Sequence, residues 1–277
     1  MNHFELSWKT SDNLTVYAQG WEPDVQPFKA VVCLVHGIGE HSGRYNHVGK
    51  AFTNAKYVLF GFDLRGHGKS EGSRGHFPSA ESVVRDIDLL LEHARLRYPG
   101  LPLILYGHSL GGILVLYYGL KQKPEVKGIL ATAPGLHNSL EKQPVKIFAA
   151  KLLGTIMPGL SMPTGLDVNA LSQDKKVVEK YQNDPLIHAR MSVGFGKIML
   201  DIIKWTFDHA GEFSLPLFII HGELDTIGYP SSSTDFASLV KENCQVVIWK
   251  DSFHELHNEP FKEEVFKTMI KWMDGLI

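Results

Sequence analysis

Six short apolar runs punctuate this 277-residue chain, at 30–35, 57–62, 103–106, 128–132, 217–220 and 246–249. Each is continuous rather than alternating, the pattern of strands buried on both faces of a parallel sheet. Between several of them apolar residues recur at helical spacing: Val83, Val84, Ile87, Leu90, Leu91 and Ala94, then Val265, Phe266, Met269, Ile270 and Met273. Strand alternating with helix predicts an α/β protein, a mostly parallel sheet covered by helices on both faces. Ahead of the first run, 4–8 and 14–18 flank the polar Ser11-Asp12-Asn13 and read as a hairpin. In such a sheet ligands bind beyond the carboxyl ends of the strands, so the residues just after each run matter most.

One stretch breaks the rhythm. From about 137 to about 209 no convincing strand is legible, while Val145, Phe148, Leu152, Leu153, Ile156 and Met157 suggest an amphipathic helix and 191–207 a second. This divides the chain into core segments 1–136 and 210–277 around a helical cap, 137–209. An insertion of that length is expected to act as a lid.

The sharpest motif is Gly107-His108-Ser109-Leu110-Gly111, set between the run 103–106 and a helical pattern over 113–120. A Gly-x-Ser-x-Gly turn from strand to helix lifts the serine hydroxyl above the sheet. Serine attacks well only when a base takes its proton. The acid and then the histidine are expected after later strands. Asp225 follows the run 217–220 and His254 the run 246–249. Ser109 is thus the expected nucleophile, His254 the base and Asp225 the residue that orients it. Glu223 competes with Asp225, and His257 with His254. His254-x-x-His257 is also half of a metal site, but no His-Glu-x-x-His occurs and two cysteines cannot build a thiolate cage. Neither metal nor cofactor is expected. Attack on a carbonyl creates an oxyanion; the N–H groups of Leu110 and of Ile38, in the Gly-rich loop after the first run, are the expected donors. His221 reads as serving the strand end.

Composition closes other routes. The formal net charge is −2, with no basic excess to neutralise a nucleic-acid backbone. Cys33 and Cys244 are the only cysteines, which fits a reducing compartment. Residues 1–23 lack the basic-then-apolar order of a secretion signal, and no apolar run has bilayer length. A cytoplasmic location is expected, with the apolar cap free to touch a membrane surface.

The segment His36-Gly37-Ile38-Gly39-Glu40-His41-Ser42-Gly43-Arg44-Tyr45 resembles the corresponding loop of the monoacylglycerol lipases, in the α/β-hydrolase superfamily. The run from Asp63 to His76, the serine turn, the Asp225 loop and Phe253-His254-Glu255-Leu256-His257 complete the likeness, from about residue 4 to the C-terminus. It implies an α/β-hydrolase fold and a cofactor-free serine hydrolase that cleaves monoacylglycerols through an acyl-enzyme. It implies also that Glu40, Arg44 and His257 line a polar pocket for the glycerol head group, with the acyl chain in an apolar tunnel under the cap. An ion pair that merely braces the loop is the competing reading of Glu40 and Arg44. Lysophospholipases share these blocks, so a lysophospholipase or a broad carboxylesterase is the alternative enzyme. A hydrolase fold kept as a binding module is the alternative outside enzymes.

Overall fold

The computed structural model describes residues 1–137 and 153–277. The strands of the large sheet are β1 (Asn2–Lys9), β2 (Thr15–Glu22), β3 (Ala30–Val35), β4 (Tyr57–Phe62), β5 (Leu103–His108), β6 (Ile129–Thr132), β9 (Leu217–Gly222) and β10 (Cys244–Trp249). They lie in the order β1-β2-β4-β3-β5-β6-β9-β10. The β1–β2 hairpin and the β2–β4 pair are antiparallel, and every other pair is parallel. This is the α/β-hydrolase fold, and all six continuous apolar runs became strands of its parallel part.

Five of the runs, β3 to β6 and β9, are continuous because both faces are covered. Along β3, Val31, Cys33 and Val35 enter one apolar cluster, with residues of α2 (Ala80–Arg97), α3 (Leu110–Gln122) and α6 (Pro230–Val240). Ala30, Val32 and Leu34 enter the other, with α1 (Asn46–Asn54) and α7 (Lys262–Asp274). Each such Val or Leu contributes about 1.5–3 kcal/mol by leaving water, so neither face tolerates a polar substitution. β10 is an edge strand and only partly buried.

Between β6 and β9 the described chain makes a helical turn at 153–156, β7 (Ser161–Pro163), α4 (Lys175–Asn183), β8 (Arg190–Ser192) and α5 (Val193–Asp208). Val145, Phe148 and Leu152 of the expected cap helix lie outside the described residues. Two strands stand where none was expected. β7 and β8 pair antiparallel, Met162 opposite Met191, but three residues are too few for a period-2 signal. The second helix expected in this stretch begins at Val193 rather than Met191, because Met191 is held in β8 and the Ser192 hydroxyl caps the helix at the N–H of Phe195. α4 was not anticipated; of its residues only Val178 and Tyr181 are buried.

Backbone hydrogen bonds tie this insertion to the core beside the strand ends. The N–H groups of His254 and Glu255 donate to the carbonyls of Ala170 and Leu171, at 3.3 and 2.8 Å. His188 donates to Gly39 at 3.0 Å and Ser192 to Gly75 at 2.9 Å. Among the described residues no helix is long and apolar enough to cross a membrane.

Candidate active site

β5 ends at His108 and α3 begins at Leu110, so the direction change falls on Ser109, at φ 54° and ψ −115°. A residue with a side chain pays for that left-handed geometry in strain, which the surroundings must hold in place. A Cβ at Gly107 would run into the Gly111 carbonyl, and one at Gly111 into that of Val35. Only glycine allows the strand, the helix and the end of β3 to approach so closely. The Ser109 N–H is held by the Thr132 carbonyl at 2.9 Å.

Ser109 Oγ lies 2.8 Å from His254 Nε2, and His254 Nδ1 lies 2.6 Å from Asp225 Oδ2. The three side chains come from the loops after β5, β10 and β9. Asp225 Oδ1 accepts the N–H groups of Ile227 at 2.8 Å and Gly228 at 3.1 Å. Burial alone would raise the Asp225 carboxyl, but the His254 charge and the bonds from His221 and His254 outweigh it and hold it well below the usual carboxylate range. Burial pulls His254 down; Asp225 beside it wins, and its affinity for a proton ends above that of an ordinary histidine. A carboxylate at Nδ1 requires the hydrogen there, which leaves Nε2 free to accept the serine proton.

The competing residues sit elsewhere. Glu223 is exposed and accepts the Asp251 N–H at 3.1 Å, with no contact to His254. His257 stacks on Tyr45 at 4.8 Å between ring centres and meets His108 edge-on at 4.7 Å. Both its ring nitrogens are buried without a hydrogen-bond partner among the described residues. Burial, then His108, holds it well below the ordinary histidine range, so it is neutral.

Ile38 and Leu110 flank Ser109 on the wall of one cavity. The Leu110 N–H is in the first turn of α3, where no intrahelical acceptor exists. The Ile38 N–H has no partner among the described residues. Both are therefore available to an oxyanion.

Two cavities meet at the serine. The larger, about 140 Å³, is apolar: Ile38, Leu110 and Ile113 from the core face Leu166, Met191, Phe195, Met199 and Ile203 from the insertion. The smaller, about 10 Å³, is lined by Glu40, Glu255, His108, His254 and Tyr181, among others. Glu40 Oε1 accepts the Gly37 N–H at 2.7 Å and the Tyr45 hydroxyl at 2.9 Å. Arg44 bridges Glu40 at 2.6 Å and takes both oxygens of Glu255 at 2.7 Å, its guanidinium 4.8 Å from the Tyr181 ring centre. Burial opposes the charge on Glu40, but Arg44 prevails and the carboxyl falls to about 2.

Of the three residues assigned to a head-group pocket by resemblance, the structure thus places Glu40 on the small cavity's wall. Arg44 stands behind the carboxylates, and His257 is packed in a ring stack away from either cavity. Sequence reading missed Glu255, Tyr181 and the contact of His221 with Asp225. Glu255 carried a signal, since it follows His254 directly. Tyr181 carried none, because the fold of the insertion had to be known first.

The model of the family described as serine aminopeptidase, S33 matches residues 26–261. The chain is 37% identical over 267 residues to an uncharacterized abhydrolase domain-containing protein of Dictyostelium discoideum, of which it spans 28% of the length and which covers 95% of this chain. It is 32% identical to the monoacylglycerol lipase of Mycolicibacterium smegmatis, over 91% of this chain and 90% of that one. Among solved structures, the Paleococcus ferrophilus monoacylglycerol lipase superposes with a TM-score of 0.86 at 30% identity, covering all of both chains.

Proposed function

Because the chain belongs to the serine aminopeptidase S33 family of α/β-hydrolases and is a monoacylglycerol lipase-like serine hydrolase, we propose that its substrates are monoacylglycerols, split into glycerol and a free fatty acid. The observation that carries this reading is the position of Ser109, at the junction of an apolar cavity and a carboxylate-lined one. An acyl chain suits the first, and the second, with room for about one water-sized group, suits a single hydroxyl of the head group.

In this reading His254 Nε2 takes the Ser109 proton as Oγ attacks the ester carbon. The carbonyl oxygen gains the charge, facing the N–H groups of Ile38 and Leu110. The tetrahedral adduct collapses, the glycerol oxygen leaves with the proton from His254, and an acyl-enzyme remains. Water then loses a proton to His254, attacks the acyl carbon and releases the fatty acid, returning the proton to Ser109.

The charge of the polar side favours glycerol over a phospho head group. Glu40 and Glu255 share a single guanidinium, so the wall carries an excess negative charge on buried side chains, where repulsion is screened less than in water. A neutral polyol donates hydrogen bonds to such a wall, and a phosphodiester is repelled. A hydrolysis panel tests this: monoacylglycerols should be turned over faster than lysophosphatidylcholine, lysophosphatidylglycerol, and di- or triacylglycerols. Preference for a lysophospholipid would overturn it.

We propose further that the insertion rests on lipid surfaces. Ile156, Met157, Leu160 and Met162 are 68, 53, 41 and 38% exposed, next to Thr164–Leu166 on the cavity wall. Co-sedimentation with monoacylglycerol-bearing liposomes should be lost when Ile156 and Met157 become Ser; binding unchanged by that pair would contradict it.

A further inference from the structure

His221 is fully buried at the end of β9, and the reaction outlined above does not use it. Its Nε2 lies 2.9 Å from Asp225 Oδ2 and 3.0 Å from the Gly228 carbonyl. Both are acceptors, so this nitrogen must carry a hydrogen and share it between them. Its Nδ1 lies 2.7 Å from the Ser233 hydroxyl on α6. Asp225 Oδ2 therefore stands between two imidazoles, His221 on one side and His254 at 2.6 Å on the other.

We propose that His221 is a positioning residue of the hydrolysis: it fixes Asp225 Oδ2 toward His254 and shares that oxygen's charge. This rests on the reading of Ser109, His254 and Asp225 as the reacting chain. A histidine serving only the strand end would need the Gly228 carbonyl and nothing more. Here the same hydrogen also reaches the one carboxylate oxygen that holds His254. The Ser109–His254–Asp225 chain thus extends through His221 to Ser233, spanning four separate segments, and a carboxylate with both oxygens so bound cannot rotate.

Charge sharing has a sign. With the His221 donor gone, the full charge of Oδ2 falls on His254 and raises its affinity for a proton. His254 is otherwise faced by His108, Glu40 and Glu255, with Arg44 and His257 behind them; His221 is faced by Asp225 and Ser233. None of these changes in a His221 variant, so a displaced acid limb of the pH–rate profile reports the lost bond.

The test compares His221→Leu with His221→Gln, whose amide N–H reaches the place of Nε2. For the leucine variant we expect kcat on a p-nitrophenyl ester to fall about ten- to hundredfold, the weight of one hydrogen bond to a charged group. KM should stay within about threefold, and the acid limb of kcat/KM should rise by about 0.5–1 pH unit. Glutamine should restore most of both. An acid limb that stays put or moves down in the leucine variant, or equal losses in the two variants, would overturn the proposal. Should the leucine variant fail to fold, NMR of ¹⁵N-histidine-labelled wild type and Asp225→Asn decides: His221 Nε2 must carry hydrogen at pH 8 and the shift of that proton must move upfield in Asp225→Asn, whereas a bare Nε2, or a proton that Asp225→Asn leaves unmoved, would overturn the assignment. Ser109→Ala assayed alongside keeps the two claims apart. Full activity in that variant would sink the reading of the reacting chain, while the His221 tautomer would stand on its own measurement.

Discussion

Gly39 accepts the backbone N–H of His188 at 3.0 Å, so the insertion is bonded directly to the loop that presents Ile38. The contact is close enough that a Cβ on Gly39, which sits at φ +75°, would strike the His188 carbonyl. Gly39→Ala therefore strains the turn and pushes the insertion outward. We expect kcat/KM to fall by about ten- to a hundredfold, as when one oxyanion donor is misplaced, while the melting temperature drops by only a few degrees. Steady-state kinetics with calorimetry checks this. Unchanged kinetics would mean that the loop holds its shape without the insertion.

Glu255 offers a second test. Replacing it with Gln removes one of two carboxylates around Arg44 while keeping a group that can accept a hydrogen bond. The ratio of kcat/KM for lysophosphatidylglycerol to that for a monoacylglycerol should rise at least about tenfold, since relieving one like-charge contact at about 4 Å and an effective dielectric near 20 is worth up to about 4 kcal/mol. Turnover of a p-nitrophenyl ester, which has no head group, serves as the control. A ratio that does not move would remove Glu255 from substrate choice.

The pH dependence follows from the pair Asp225 and His254. The proposed reaction needs neutral His254, and the carboxylate favours the charged form. Activity should rise with pH through a midpoint above the ordinary histidine value of about 6.5. For stability the sign is opposite: a raised folded-state pKa contributes stability below that ordinary value, and the contribution is lost as pH climbs through the folded one. Asp225→Asn should abolish the stabilised cation and cost on the order of 10⁴ in kcat. A pH–rate profile of both proteins checks the claim, and an acid limb at or below about 6.5 in the wild type would contradict it.

Much of this was legible beforehand, for reasons that can be named. Strands buried on two faces show up as unbroken apolar runs, so β3 to β6 and β9 could be read from hydrophobicity alone; β10 carries a similar run although it is an edge strand and only partly buried. Ser109 was readable because its turn admits only glycine at 107 and 111. Asp225 and His254 were readable because chain order and strand ends confine them. Contacts across the fold were not. Tyr181 meets Arg44 only once α4 is docked, and β7 pairs with β8 across 26 intervening residues. Arg44 was assigned to substrate by resemblance, yet its donors go to Glu40 and Glu255, because a buried guanidinium must be paired before it can bind anything else.

The central claim is that Ser109 is a nucleophile primed by His254 and Asp225. A fluorophosphonate probe followed by peptide mass spectrometry tests it most directly. The account predicts one adduct per chain, on Ser109, with labelling slowed by orders of magnitude in His254→Ala and absent in Ser109→Ala. Labelling at a different residue, or ester hydrolysis that persists undiminished once Ser109 is alanine, would contradict it.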